Sequence, residues 1–258
     1  MTAPANPLEF LAFCLSRTIE DHEVVYVGTG LPLVGSLLAK ATHAPNATLV
    51  FESGSQDPVF GGRMPWSVGC PWTYHFAPMI LDMATSFGQA AAGYVDLGFL
   101  GGAQIDMYGN VNTTVIGSME QVKQRLTGSG GGNDLGSLSE RIVLVGLQTK
   151  EKFPAQVDFI TTPGHLTGGS SRKEAGLPGQ GPWRVITQLG VFGFHPESKQ
   201  MMAVTLHPGI TPEIVDMCTG FEMIIPASVG ITEIPDDATL EILRNEIDPY
   251  GVFTKLPA

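Results

Sequence analysis

The stretch Ala47-Thr48-Leu49-Val50-Phe51-Glu52-Ser53-Gly54 decides the class of fold, because it joins a short apolar run to a glutamate and a glycine turn. A short apolar run that ends in a turn signal predicts a buried strand. Ligands collect at the carboxyl ends of strands in parallel sheets. We therefore predict that Glu52 lies at the mouth of such a sheet. A glutamate at a strand end is also typical of a solvated surface group.

The segments around this stretch alternate between helix and strand. Further strands are predicted at 24–27, 95–100, 142–145 and 157–160, and a hairpin over 184–194 and 201–206. Helices are predicted at 7–19, 33–42, 78–92, 212–218 and 238–247. Continuous apolar strands separated by helices indicate a parallel sheet covered on both faces. The predicted fold is thus α/β, an open, mostly parallel sheet with helices on both faces, in a single domain over residues 1–258.

Composition excludes several classes of protein. The 258 residues include 25 acidic and 14 basic ones, a net charge of -11, which argues against nucleic acid and anionic membranes as partners. The hydrophobic fraction of 43% is enough for a sizeable core and favours some apolar surface under a partner. No apolar stretch approaches the ~20 residues of a membrane span, and no secretory signal is present. Three scattered cysteines without a C-x-x-C pair predict reduced thiols, no metal site and a cytoplasmic protein.

Two glycine-containing segments are candidates for substrate contacts. Gly28-Thr29-Gly30 does not complete the G-x-G-x-x-G pattern, so a structural turn is favoured over a dinucleotide site. The segment 101–112 follows the strand at 95–100 and carries Gln104, Asp106 and Asn112. Their side chains can orient a substrate near Glu52, although turns also favour asparagine and glycine for backbone reasons.

The third glycine-rich segment, Gly128-Ser129-Gly130-Gly131-Gly132, stands shortly before the strong strand at 142–145. Such a run is typical of backbone that approaches a ligand or needs positive φ. Its N–H groups can form an oxyanion hole, and the alternative is a flexible surface loop.

These features fit covalent acyl transfer. A carboxylate is ionised at neutral pH and can attack an acyl thioester without the attendant base that a serine requires. The glycine-rich loop would then hold the oxygen of the tetrahedral adduct.

Several motifs together resemble the β subunits of family I coenzyme A-transferases, most closely the glutaconate CoA-transferase group. The resemblance covers nearly the whole chain. It rests on five motifs in order: the turn at 27–33, Glu52-Ser53-Gly54, the segment 99–112, the loop at 127–131, and the tail segments 219–221 and 247–249.

The resemblance implies a ping-pong reaction through a glutamyl-CoA thioester on Glu52. It implies oxyanion donors at Gly130 and Gly131, with Gln104 and Asn112 lining the site and Ser53 and Gly54 completing the nucleophile turn. The substrates would be an acyl-CoA and a free carboxylic or dicarboxylic acid, with no tightly bound cofactor.

A separate α subunit is also implied, in a heterotetramer or heterooctamer. Two alternatives stay open. One is a diverged family member that decarboxylates or hydrolyses a CoA ester, and the other is a non-catalytic scaffolding subunit. Retention of Glu52 favours the transferase.

Overall fold

The computed structural model describes residues 3–255. Within them the chain forms seven α-helices, a 3-10 helix at Pro71–Tyr74 and a π-helical turn at Leu243–Ile247. The α-helices are α1 Pro7–Ser16, α2 Leu31–Thr42, α3 Met83–Ala91, α4 Gly132–Leu138, α5 Ser171–Glu174, α6 Pro212–Cys218 and α7 Asp237–Ile242.

The same residues form fourteen strands, most of them short. They are β1 Val24–Tyr26, β2 Thr48–Val50, β3 Ser55–Gln56, β4 Met79–Ile80, β5 Leu97–Gly101, β6 Gln104–Ile105, β7 Val111–Asn112, β8 Val115–Gly117, β9 Val122–Arg125, β10 Arg141–Val145, β11 Gly181–Ile186, β12 Gly190–Phe194, β13 Met201–Leu206 and β14 Gly230–Ile231. The chain divides into two compact units, one of residues 3–99 and 234–255 and one of residues 100–233.

The first unit is built on parallel strands. β1 pairs in parallel with β2 on one side and with β5 on the other, and β3 and β4 continue from β2 as antiparallel strands. Helix α1 starts as predicted: the Asn6 side chain accepts from the N–H groups of Leu8 and Glu9, and the Glu9 carboxylate accepts from Asn6 N–H. This capping box satisfies donors that the first helical turn leaves unpaired.

The second unit combines parallel and antiparallel strands. β10 and β11 are parallel, β11, β12 and β13 form antiparallel pairs, and β14 is parallel to β13. The predicted hairpin over 184–194 and 201–206 is found only in part: β12 and β13 form it, but residues 184–194 are not one strand, because β11 and β12 pair with each other. Arg172 orders the loop before β11, since its buried guanidinium donates to the carbonyls of Ser137, Pro163, Gly164 and Pro178.

The α/β prediction is confirmed. In the first unit, the parallel strands β5, β1 and β2 are followed by the antiparallel strands β3 and β4. The expectation of a single domain stays a prediction, because two compact units can belong to one folding domain.

Two further predicted elements differ clearly from the structure. The helix predicted at 78–92 begins only at Met83, because the Asp82 carboxylate caps it by accepting from Thr85 N–H, and Met79–Ile80 pairs with β3 instead. The strand predicted at 157–160 was wrong: no strand forms there, and the Asp158 backbone N–H donates to the Gln104 side chain rather than to a neighbouring strand.

Candidate active site

Glu52 stands on a tight turn directly after β2. The Gly54 N–H donates to the Phe51 carbonyl at 2.9 Å, which closes a four-residue turn with Glu52 and Ser53 at its centre. The Phe51 carbonyl also accepts from the buried Ser86 hydroxyl, which in turn contacts the Tyr26 hydroxyl at 2.9 Å. The buried hydroxyls of Ser86 and Tyr26 therefore anchor the turn through the Phe51 carbonyl. The Glu52 side chain is half-buried and has no hydrogen-bond partner among the described residues.

Ser53 and Gly54 fix the shape of this turn. Gly54 has φ +96°, a conformation that other residues rarely adopt. The Ser53 carbonyl lies 3.4 Å from the Tyr74 hydroxyl, which donates to it, whereas the buried Ser53 hydroxyl has no partner in the described part of the chain. The three residues of the predicted nucleophile motif thus share one hydrogen-bonded turn.

In the second unit, Gln104 and Asn112 lie side by side. The Asn112 amide donates to Gln104 Oε1 and to the Val115 carbonyl, both at 2.7 Å, and its oxygen accepts from the N–H groups of Thr114 and Val115. These four bonds use the full hydrogen-bonding capacity of a buried asparagine side chain. Any effect of Asn112 on a substrate therefore passes through Gln104.

Gln104 keeps one donor. Its oxygen accepts from Asn112 and from Asp158 N–H, and its Nε2 donates to the Asp158 carboxylate at 3.2 Å. An amide nitrogen carries two hydrogens, so one N–H remains for another group. Asp158 was missed from the sequence because its segment was assigned to a strand, and only the carboxylate within an otherwise apolar run could have pointed to it.

Asp106 has a structural role. Its buried carboxylate accepts from the backbone and side chain of Asn110 and from Tyr108 N–H. Burial raises the pKa of Asp106 above its usual range, against the lowering effect of these hydrogen bonds. The carboxylate closes the 106–110 turn rather than facing open solvent.

The glycine-rich loop presents free backbone donors. Gly130 has φ +50° and open space where a β-carbon would lie, and neither its N–H nor that of Gly131 is hydrogen-bonded within residues 3–255. The ends of the loop are tied down: Gly128 N–H donates to the Thr113 carbonyl at 2.8 Å, and Asn133 Nδ2 donates to the Thr161 carbonyl at 2.7 Å. A fixed loop with two unpaired donors can receive an oxyanion.

The predicted site residues thus form two groups. Glu52, Ser53 and Gly54 share one turn of the first unit. Gln104 and Asn112 are hydrogen-bonded in the second unit, where Gly128 of the glycine-rich loop donates to the carbonyl of Thr113, the residue after Asn112. Across residues 3–255, no group of three or more His, Cys, Asp or Glu side chains could hold a metal ion.

Comparison with known proteins identifies the family. The family model described as Coenzyme A transferase matches residues 11–216. The B subunit of the glutaconate CoA-transferase of Acidaminococcus fermentans is 37% identical over 257 residues, covering 96% of this chain and 95% of that protein. The chain belongs to the coenzyme A transferase family.

Two further comparisons support this CoA-transferase assignment. The B subunit of the 3-oxoadipate CoA-transferase of Pseudomonas knackmussii is 35% identical over 240 residues, covering 92% of this chain and 91% of that protein. The crystal structure of glutaconate coenzyme A-transferase from Acidaminococcus fermentans gives a TM-score of 0.90 at 35% identity, covering 98% of both chains. The predicted family, fold and enzyme class are confirmed. In the described part of this CoA-transferase chain, no helix has the length and hydrophobicity to cross a membrane.

Proposed function

We propose that this chain is the β subunit of an enzyme that moves CoA from an acyl-CoA to a free carboxylic or dicarboxylic acid, with Glu52 as the nucleophile and no tightly bound cofactor. The observation that carries the proposal is the Glu52 carboxylate. It stands on a glycine turn at the end of a parallel strand and has no hydrogen-bond partner within residues 3–255. A carboxylate free of such partners is available to attack an electrophile.

The reaction would have two half-reactions: formation of the glutamyl-CoA thioester and transfer of its CoA to the acceptor. A Glu52 carboxylate oxygen attacks the thioester carbonyl, the C–S bond breaks, and CoA leaves as a thiolate to give an acyl–glutamyl anhydride. The thiolate then attacks the Glu52 carbonyl of the anhydride, which releases the first carboxylic acid and leaves a glutamyl-CoA thioester. An acceptor carboxylate reverses both steps.

The glycine-rich loop would stabilise the negative oxygen of each tetrahedral adduct through the N–H groups of Gly130 and Gly131. Gln104, with its one unused N–H, would contact the substrate, and Asn112 would hold Gln104 in place. We further infer a separate α subunit, in a heterotetramer or heterooctamer, because the two matched relatives are themselves single subunits of CoA-transferases that need more than one kind of chain.

The test is intact-protein mass spectrometry of the co-expressed complex after incubation with a panel of acyl-CoAs. We expect a CoA-sized adduct on this chain that borohydride or hydroxylamine removes and that peptide mapping assigns to Glu52. Glu52→Gln should form no adduct and show no acceptor-dependent transfer while still assembling. Glu120→Gln, which changes an exposed carboxylate in the second unit, is the matched control.

Two results would contradict the proposal. Acceptor-dependent transfer by Glu52→Gln would exclude the covalent role. Consumption of acyl-CoA without an adduct or an acceptor would instead indicate decarboxylation or hydrolysis, and absence of any reaction would favour a scaffolding role.

A further inference from the structure

Four of the nine basic residues of the second unit line two adjoining cavities. One cavity of about 600 Å³ is lined by Lys123, Lys150 and Lys152 together with Gln104. A second, of about 610 Å³, is lined by Arg125 and shares Ala103, Gln124 and Leu126 with the first. Four of the 14 lysines and arginines thus line one depression in a chain whose net charge is -11. An anion would be repelled by most of such a surface and attracted here.

We call the cavity of Lys123, Lys150 and Lys152 the lysine cleft. Its position relative to the predicted site is fixed by the backbone. The Lys152 carbonyl accepts from Ile105 N–H at 2.8 Å, so Lys152 lies beside the residue that follows Gln104. Lys123 lies on the exposed strand β9. Gln104 and the three lysines therefore line one cavity.

Few interactions occupy the three lysines, although Lys150 has a favourable electrostatic interaction with the neighbouring Glu151. Among the described residues, none of the three forms an ion pair. The cleft also holds Glu151 and Asp158, but the Asp158 carboxylate already accepts from Gln104 Nε2 and from Gly117 N–H at 2.9 Å. Glu151 is the one carboxylate that opposes an anion directly, and three lysines outnumber it.

The adjoining cavity leads toward the glycine-rich loop. Its lining includes Thr113 and Thr127, the latter one residue before Gly128, whose N–H is bonded to the Thr113 carbonyl. A long ligand with its charged end in the lysine cleft can therefore extend along the second cavity toward Gly130 and Gly131. Acyl-CoA has this form: its phosphates are at one end and its thioester is at the other, beyond the pantetheine arm.

We propose that the lysine cleft binds the phosphate groups of the acyl-CoA substrate, an inference that rests on the proposed function. Lysines bind phosphate through charge-assisted hydrogen bonds. The cleft then discriminates CoA thioesters from pantetheine thioesters, which carry the same reactive group without the nucleotide.

The experiment uses the co-expressed complex and measures kcat and KM for an acyl-CoA, the matching acyl-dephospho-CoA and the matching acyl-pantetheine. The variant is Lys150→Ala/Lys152→Ala. Its charge-matched control is Lys173→Ala/Lys255→Ala, two exposed lysines outside both cavities. We expect the variant to raise the KM for acyl-CoA about tenfold, as for the loss of one charged hydrogen bond. The KM for acyl-pantetheine and kcat should stay within about twofold of wild type.

Three further readings make the result decisive. Lys150→Arg/Lys152→Arg should restore the KM for acyl-CoA, and added salt should raise that KM less in the alanine variant than in wild type. The dephospho substrate shows whether the 3′-phosphate or the pyrophosphate is bound. An unchanged KM for acyl-CoA, or an equal rise for acyl-pantetheine, would overturn the proposal.

If wild type transfers CoA from none of the thioesters, the proposed function fails, and equilibrium titration with free CoA tests the cleft separately. An equal Kd for wild type and Lys150→Ala/Lys152→Ala would then refute it, and about tenfold weaker binding by the variant would support it.

Discussion

Gly54 lies so close to Leu81 that a β-carbon on Gly54 would stand 1.9 Å from the Leu81 carbonyl oxygen. The Leu81 N–H donates to the Gly54 carbonyl at 2.9 Å, so the two backbones are held against each other. The contact and the φ of +96° each require glycine two residues after Glu52. Leu81 therefore fixes the turn that presents the proposed nucleophile, although it lies nearly thirty positions further along the chain.

Replacing Gly54 with alanine should disturb this turn. The added methyl forces the Leu81 backbone away and strains φ, which we expect to cost about 1–3 kcal/mol of unfolding free energy. Glu52 would be displaced with the turn, so the rate of glutamyl-CoA formation should fall more than the stability loss explains. Single-turnover mass spectrometry and thermal unfolding of the complex measure the two effects. Gly69→Ala, at an open position of the same unit, should change neither; normal adduct formation by Gly54→Ala would contradict the argument.

Gly131 allows a test of the oxyanion donors by a pair of substitutions. Its φ of -77° is within the range that proline accepts, and because Gly131 is the N-cap of α4, its N–H makes no bond within that helix. Gly131→Pro removes the N–H and should lower kcat about 10²-fold or more, as for the loss of one oxyanion donor. Gly131→Ala keeps the N–H and should retain most of the turnover.

The test compares kcat between Gly131→Pro and Gly131→Ala, which differ in the backbone N–H. Equal kinetics for Gly131→Pro and Gly131→Ala would show that this N–H does not contact the reacting oxygen. Thermal unfolding of both complexes checks that α4 still forms.

Replacing Asn112 with alanine should mainly lower the free energy of unfolding. Asn112→Ala leaves the Val115 carbonyl and the N–H groups of Thr114 and Val115 without their buried partner, which we expect to cost about 1–3 kcal/mol. In a chain of this size, each kcal/mol lowers the midpoint of thermal unfolding by about 2–4 °C. Asn245→Ala, at an exposed asparagine, is the control. An Asn112→Ala complex that unfolds at the wild-type midpoint would contradict this structural role.

The sequence predicted the elements whose signals are local. Asn6 and Pro7 mark the start of α1, because helix capping depends on residues adjacent in the sequence. The apolar runs ending at Val50 and Val145 mark β2 and β10, because an uninterrupted apolar run is itself the signal of a buried strand. It could not predict β4, since Met79–Ile80 is a strand only through its pairing with Ser55–Gln56.

The same limit applies to the site. Glu52 and the glycine-rich loop stand out in the sequence because their composition is unusual. The bond between Gln104 and Asp158 joins residues 54 positions apart, and the four carbonyls around Arg172 come from three separate segments. Such contacts exist only after folding, so no spacing rule identifies them.

His165 should make the stability of the chain depend on pH. Its Nε2 lies 2.9 Å from the Pro182 carbonyl, its ring packs edge-on against Phe194, and burial lowers the pKa of His165 from 6.5 to about 4. Above pH 6.5 the imidazole is neutral in both states and its stabilisation is complete. As the pH falls toward about 4, the unfolded chain binds a proton that the folded chain does not, so stability falls, by about 3 kcal/mol over the full interval.

The measurement is the midpoint of thermal unfolding of the complex between pH 6.5 and about pH 4. His165→Gln keeps a side-chain N–H donor but cannot titrate, so its midpoint should fall less over this interval than that of wild type. His43→Gln changes an exposed histidine and should keep the wild-type pH dependence. If His165→Gln and wild type lose stability in parallel as the pH falls, then His165 is not the buried neutral group that the contact with Pro182 indicates, and other groups cause the acid sensitivity.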